Sequence, residues 1–242
     1  MFDRNVLDSI TVITHSAVRI GGDKVIYIDP IGIEGEPHDA DLILITHPHA
    51  DHFSPANIRK VLKDSTVVAC PESMAGKLGR ASGREPVSLM PGMSTSLAGV
   101  PVEAVAAYNQ KKFYHPKKKG WLGYVLTVGE TRVYIAGDTE SNPENKAVTC
   151  DIALLPVDTS RTMTPDQAAE LAKLISAQAV IPIHYGALLG GKKAPVKFKQ
   201  ALDPSIECDI RDTVYSSILV KMMVLPSVLG FIVGFTLMML VL

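Results

Sequence analysis

Short apolar runs, each closed by polar or proline-bearing punctuation, recur along the chain as far as Lys221. Residues 25–28 (VIYI), 42–45 (LILI) and 66–69 (TVVA) read as buried strands, apolar throughout because both faces are covered. Residues 92–107 alternate loosely and predict a hairpin. Residues 124–128 and 132–136 predict a second one about Gly129-Glu130. Residues 152–156 and 179–183 are further strands, and His184 stands at the end of the latter. Two helices announce themselves by their caps. Ser54 precedes Pro55 as N-cap, and Thr164-Pro165-Asp166-Gln167 has the capping-box spacing. The second helix places Ala168, Leu171, Leu174 and Ile175 on one face. This order of elements predicts a strand-rich α/β domain over residues 1–213, with strands in two sheets and helices outside.

The pattern changes at the C-terminus. The 21 residues from 222 to 242 carry no charged side chain, and a membrane-spanning helix needs roughly 20 mostly apolar residues. Pro226 lies near the start of the run, and Gly230 and Gly234 form a GxxxG. The expectation is a linker over 214–221 and a C-terminal transmembrane helix over 222–242. With Lys221 flanking the span and no signal peptide at Met1, this predicts a tail anchor with the catalytic domain in the cytoplasm, or a cytoplasmic protein if the tail is not a span.

Charge narrows the function classes. The formal net charge is −1 with 20% charged residues, so there is no basic field for nucleic acid. Three scattered cysteines, Cys70, Cys150 and Cys208, contain no CxxC pair and argue against a disulfide framework or a thiolate metal site.

The informative segment is Thr46-His47-Pro48-His49-Ala50-Asp51-His52, where three of the chain's seven histidines follow a predicted strand. Strand ends hold chemistry well, because the strand fixes position while the loop turns side chains inward. His47 and His49 share a side in extended chain, whereas the adjacent Asp51 and His52 point apart. Imidazole and carboxylate without sulfur suit zinc, manganese or iron.

This segment resembles the HxHxDH signature of the metallo-β-lactamase superfamily. Gly137-Asp138-Thr139 is similar to that family's GDT element, and Ile183-His184-Tyr185-Gly186 to its final histidine. His15-Ser16 and Ile28-Asp29-Pro30 resemble the HS and DP elements of the branch that includes ascorbate-phosphate lactonase-like hydrolases. The resemblance spans about residues 10 to 190 and implies an αββα four-layer sandwich. It also implies two divalent metal ions, with zinc favoured over manganese or iron. His47 and His49 would bind one, Asp51, His52 and His184 the other, and Asp138 both, with Asp51 and Asp138 as catalytic residues. A hydroxide between metals about 3.5–4 Å apart would be the nucleophile.

One position departs from the family. A third histidine is expected for the first metal after the strand over 102–106, and the chain has Ala107-Tyr108-Asn109 there. Two readings of His115 stand side by side, a replacement ligand from a longer loop and a surface histidine. His15, Asp29 and Asn109 are expected to hydrogen-bond the ligands or touch substrate.

Lys111, Lys112, Lys117, Lys118 and Lys119 crowd the same loop. At the rim of the site they would favour an anionic, phosphorylated small molecule; as a solvated hairpin tip they would have no such role. The leading expectation is hydrolysis of a phosphoester or lactone-like bond. The alternatives are a membrane-tethered lipid phosphodiesterase and a non-catalytic, membrane-anchored metal-binding scaffold. Self-association into a homo-oligomer is left open.

Overall fold

The structure is a computed structural model that describes residues 2–185 and 193–211. Its first sheet contains β1 (Ile10–Thr14), β2 (Ala17–Ile20), β3 (Ile26–Ile28), β4 (Ala40–Leu44), β5 (Leu62–Pro71) and β6 (Val87–Leu89), paired in that order. β1 to β3 run antiparallel and β3 to β6 parallel. The second sheet holds β7 (Ser94–Leu97), β8 (Val100–Ala106), β9 (Leu122–Val128), β10 (Thr131–Ile135), β11 (Ile152–Pro156), β12 (Ala179–Ile183) and β13 (Glu207–Cys208). β7 to β10 form an antiparallel meander, and β10 to β13 are parallel.

The period of two along each strand builds the layers. Leu42 and Leu44 of β4 face the second sheet and pack in one core with Leu122, Tyr124, Leu126, Ile135, Leu154 and Ile181. Ile43 and Ile45 point the other way, onto α2 (Pro55–Val61) and α3 (Ala75–Ser82) through Ile58, Val61 and Leu78. On the far side, Ala153, Leu155 and Val180 meet α5 (Pro165–Leu174) and α6 (Ala194–Ala201) through Leu171 and Phe198. The layers are therefore helix, sheet, sheet, helix. Two shorter helices, α1 (Arg4–Ser9) and α4 (Pro143–Lys146), sit at the margins. Ser54 caps α2, and Thr164 with Gln167 forms the expected capping box on α5.

The transmembrane helix expected over 222–242 is withdrawn, and the tail-anchored membrane placement with it. Among the described residues no helix is long and apolar enough to cross a membrane. The longest, α5, has 10 residues, about half the required length. Residues 214–221 and 222–242 lie outside the described residues.

Candidate metal centre

Every chemistry-bearing side chain hangs from the C-terminal end of a strand, on one edge of the sandwich. His15 follows β1, Asp29 follows β3, and residues 46–52 follow β4. Asn109 and His115 follow β8, Asp138 follows β10, Asp158 follows β11 and His184 follows β12. Four of these, His15, Asp29, His115 and His184, have left-handed backbones with φ between 48° and 58°. Such conformations cost non-glycine residues about 1–2 kcal/mol and concentrate where the fold over-determines a site.

Asp29 anchors the first wall. Its Oδ1 accepts from the Thr46 backbone N–H at 2.7 Å, and its Oδ2 accepts from Thr46 Oγ1 at 2.5 Å and faces His52 Nδ1 at 2.7 Å. These contacts assign protons. His52 carries its hydrogen on Nδ1, towards Asp29. Thr46 gives its hydroxyl proton to Asp29, so His47 Nδ1, 3.0 Å from that hydroxyl, is also a donor. In their neutral forms both rings then present an Nε2 lone pair inward.

His47, His49 and His115 form a group whose nitrogens can hold a metal. His49 Nδ1 lies 3.0 Å from His47 Nε2 and 3.2 Å from His115 Nε2. For tetrahedral coordination at about 2.0–2.1 Å per nitrogen, ligand atoms stand about 3.3 Å apart, so the three fit a zinc-sized cation. Burial, followed by the neighbouring histidines, holds the His47 ring well below its ordinary pKa. Burial likewise takes His115 to about 4, against the pull of Asp138. Neutral rings with converging lone pairs favour a cation between them. The chain's one tryptophan, Trp121, packs on all three, with ring centroids 5.1, 4.9 and 5.4 Å from His47, His49 and His115.

A second group, His15, Asp51, His52 and His184, can also hold a metal. Asp138 stands between the groups. Its Oδ1 is 3.3 Å from His52 Nε2, and its Oδ2 is 3.0 Å from His184 Nε2 and 3.3 Å from His115 Nε2. His15, His52 and His184 Nε2 and Asp138 Oδ1 are buried without a hydrogen-bond partner, as atoms reserved for an ion would be. Burial opposes charge on His184, but Asp138 and Asp158 outweigh it and push the ring to about 9. His52 moves well above its ordinary value for the same reason, through Asp138 and Asp29. Burial disfavours the Asp138 anion, but His184 and His52 hold it well below the usual carboxylate range. Without metal, protons on His52 and His184 supply the positive charge.

Several placements differ from the sequence reading. His15, expected only to support the ligands, lies in the turn between β1 and β2 within a candidate ligand group, and its Nε2 is 3.5 Å from Asp51 Oδ2. His115 is buried, because its loop folds back through an Asn109 N–H bond to the His115 carbonyl. Asn109 donates to the Arg161 carbonyl at 2.6 Å. Lysines do not dominate the rim. Lys112 Nζ donates to the Thr159 and Thr162 carbonyls, and Lys117 pairs with Glu144.

Two supporting carboxylates were missed. Asp158 Oδ2 lies 3.0 Å from His184 Nδ1, off the ideal hydrogen-bond line, while its Oδ1 accepts from the Arg161 and Thr162 backbone N–H groups. Buried Glu140 accepts from the Gln110 and Lys111 N–H groups and fastens the His115 loop. Their only signals were lone acids following strands, which are common.

A family profile described as a beta-lactamase superfamily domain matches residues 9–184. The chain belongs to this metallo-β-lactamase superfamily. A metal-dependent hydrolase of Methanopyrus kandleri is 30% identical over 212 residues, covering 80% of this chain and 91% of the relative. One of Thermoplasma acidophilum is 28% identical over 196 residues, covering 76% and 86%. A solved structure from Parabacteroides distasonis, also titled as a metal-dependent hydrolase, is 37% identical with a TM-score of 0.72, covering 84% and 91%. This member of the superfamily is a metal-dependent hydrolase, and the scaffold alternative is set aside. Its clustered histidines and aspartates supply candidate metal ligands, with Asp29, His47 and His52 a third such group beside the two above.

Proposed function

We propose that this hydrolase binds two divalent cations, zinc first among the candidates, and cleaves a phosphoester or lactone-like bond in a small anionic substrate. The observation that carries the reading is the buried Asp138, one oxygen turned to His52 and the other to His184 and His115. His47, His49 and His115 would hold one ion. Asp51, His52 and His184 would hold the other, with Asp138 shared. When bound, the pair would polarise the scissile oxygen and make a water acidic near neutrality.

The chain's own residues do the rest. Asp29 and Asp158 keep His52 and His184 in the tautomer that presents Nε2. Trp121 and the buried rings shield the centre from bulk water. Asp51, with a side chain 24% exposed, is the carboxylate nearest solvent through which a proton can leave, and His15 steadies it. With the tail anchor withdrawn, the lipid phosphodiesterase reading has no supporting observation.

Elemental analysis of the purified chain is expected to give two metals per molecule. Asp138→Ala should lose most of that metal, and its turnover of sugar-phosphate lactones and phosphodiesters should fall by at least a hundredfold, about 2.7 kcal/mol. Full metal content and activity in Asp138→Ala would sink the proposal.

A further inference from the structure

We propose that Arg161 is the substrate-anchoring cation of this site, holding a carboxylate or phosphate group remote from the scissile bond. The inference rests on the metal-centred reading above and adds the recognition element.

Arg161 lies on the 158–163 loop, whose Asp158 faces His184. Both of its backbone polar groups are engaged. Its N–H donates to Asp158 Oδ1 at 2.8 Å, and its carbonyl accepts from Asn109 Nδ2 at 2.6 Å. The guanidinium lies 5.2 Å from the ring centre of Tyr114, immediately before His115 in sequence. Arg161 is thus held against the loop that delivers one candidate ligand, His115.

The guanidinium is available. Among the described residues Arg161 makes no ion pair, as Arg59, Arg80 and Arg84 make none, and it lies on the loop whose Asp158 faces His184. A stacked arginine keeps its N–H edge free, and that planar fork matches the two oxygens of a carboxylate or phosphate. The nearby lysines are occupied or turned outward: Lys112 ties two loops together, Lys117 pairs with Glu144, and Lys118 and Lys119 are exposed. Phe113, 94% exposed, and Tyr114 add an apolar flank beside the cation. The recognised molecule therefore has an anionic end for Arg161 and a hydrolysable group that reaches the metals.

Calorimetric titration of the metal-loaded full chain with butyrate, succinate, glutarate and adipate tests this without turnover. At least one dicarboxylate should bind about tenfold more tightly than butyrate, because only it can engage both ends. Arg161→Ala and the longer Arg161→Gln should bring that ratio to within twofold of one, and Arg161→Lys should keep part of it. Circular dichroism and metal content matching the parent would show that the variants are folded and loaded. Absence of a dicarboxylate preference in the parent, or a preference that survives Arg161→Ala and Arg161→Gln, overturns the proposal. Loss of butyrate binding on chelation reports separately on the metal reading, so the two can fail independently.

Discussion

His184 and His115 both face Asp138 Oδ2 and titrate in opposite directions. His184 is pushed to about 9 by Asp138 and Asp158 against burial. Relative to an ordinary histidine near 6.5, that stabilisation is complete below about 6.5 and lost as pH rises through about 9. Burial takes His115 and His15 to about 4, so each is neutral in the fold where the unfolded chain binds a proton, and stability falls as pH drops from about 6.5 to about 4. The metal-free chain should therefore show its highest thermal midpoint near pH 6.5, declining on both sides. Scanning calorimetry across pH checks this, and loading metal should abolish the alkaline decline. On the proposed ligand set His52 and His184 give up protons when they bind, so zinc uptake near pH 7.5 should release about two. Calorimetry in buffers of different ionisation heat measures that number. His115→Ala should remove about half of the bound metal, and the single tryptophan should report it: Trp121 emission is expected to change on loading in the parent and hardly at all in the variant. At this scale the sequence was readable where ligands were contiguous, as from His47 to His52. It was silent on Asp158, whose meaning depends on neighbouring strands bringing it to His184.

Elements place these residues through a few close approaches. Gly137 has φ of 64°, and a Cβ there would lie 2.9 Å from the Leu122 carbonyl and 3.3 Å from Thr46 Cβ. The chain must turn there, against β9, to deliver Asp138. Gly137→Ala is expected to lower metal affinity at least tenfold, measured by competition with a chelator, because strain and contact both displace the carboxylate. Tyr124 Oη donates to the Ile45 carbonyl at 2.7 Å, tying the second sheet to the end of β4. Tyr124→Phe leaves that buried carbonyl unpaired and should cost about 1–3 kcal/mol in urea unfolding. β11 and β12 were legible because both faces are buried and every position is apolar, and β4 because the same holds from Leu42 onward, after Asp41. β1 and β2 were not, since Thr11, Thr14 and Arg19 break the apolar run. β6 and β13 are edge strands of three and two residues, too short to leave a pattern.

The whole molecule divides the centre between its sheets. Residues 47–52 and the supporting Asp29 belong to the first; His115, Asp138 and His184 belong to the second. Chelation should therefore lower the thermal midpoint of the intact domain, because bound metal adds about 4 kcal/mol at a thousandfold excess over its dissociation constant. The αββα layering was implied by the order of strand and helix signals together with the motif resemblance. The loop clamps around Arg161 were not, because they join segments far apart in sequence.

The division between sheets also dictates when the metal arrives. Neither of the two groups that flank Asp138 is complete in one sheet's half of the chain, so a nascent polypeptide offers an ion only part of either. Capture waits until both sheets have docked, and the chain then meets whatever divalent pool surrounds it at that moment. The identity of the ion becomes a property of the compartment where folding finishes as much as of the ligands themselves.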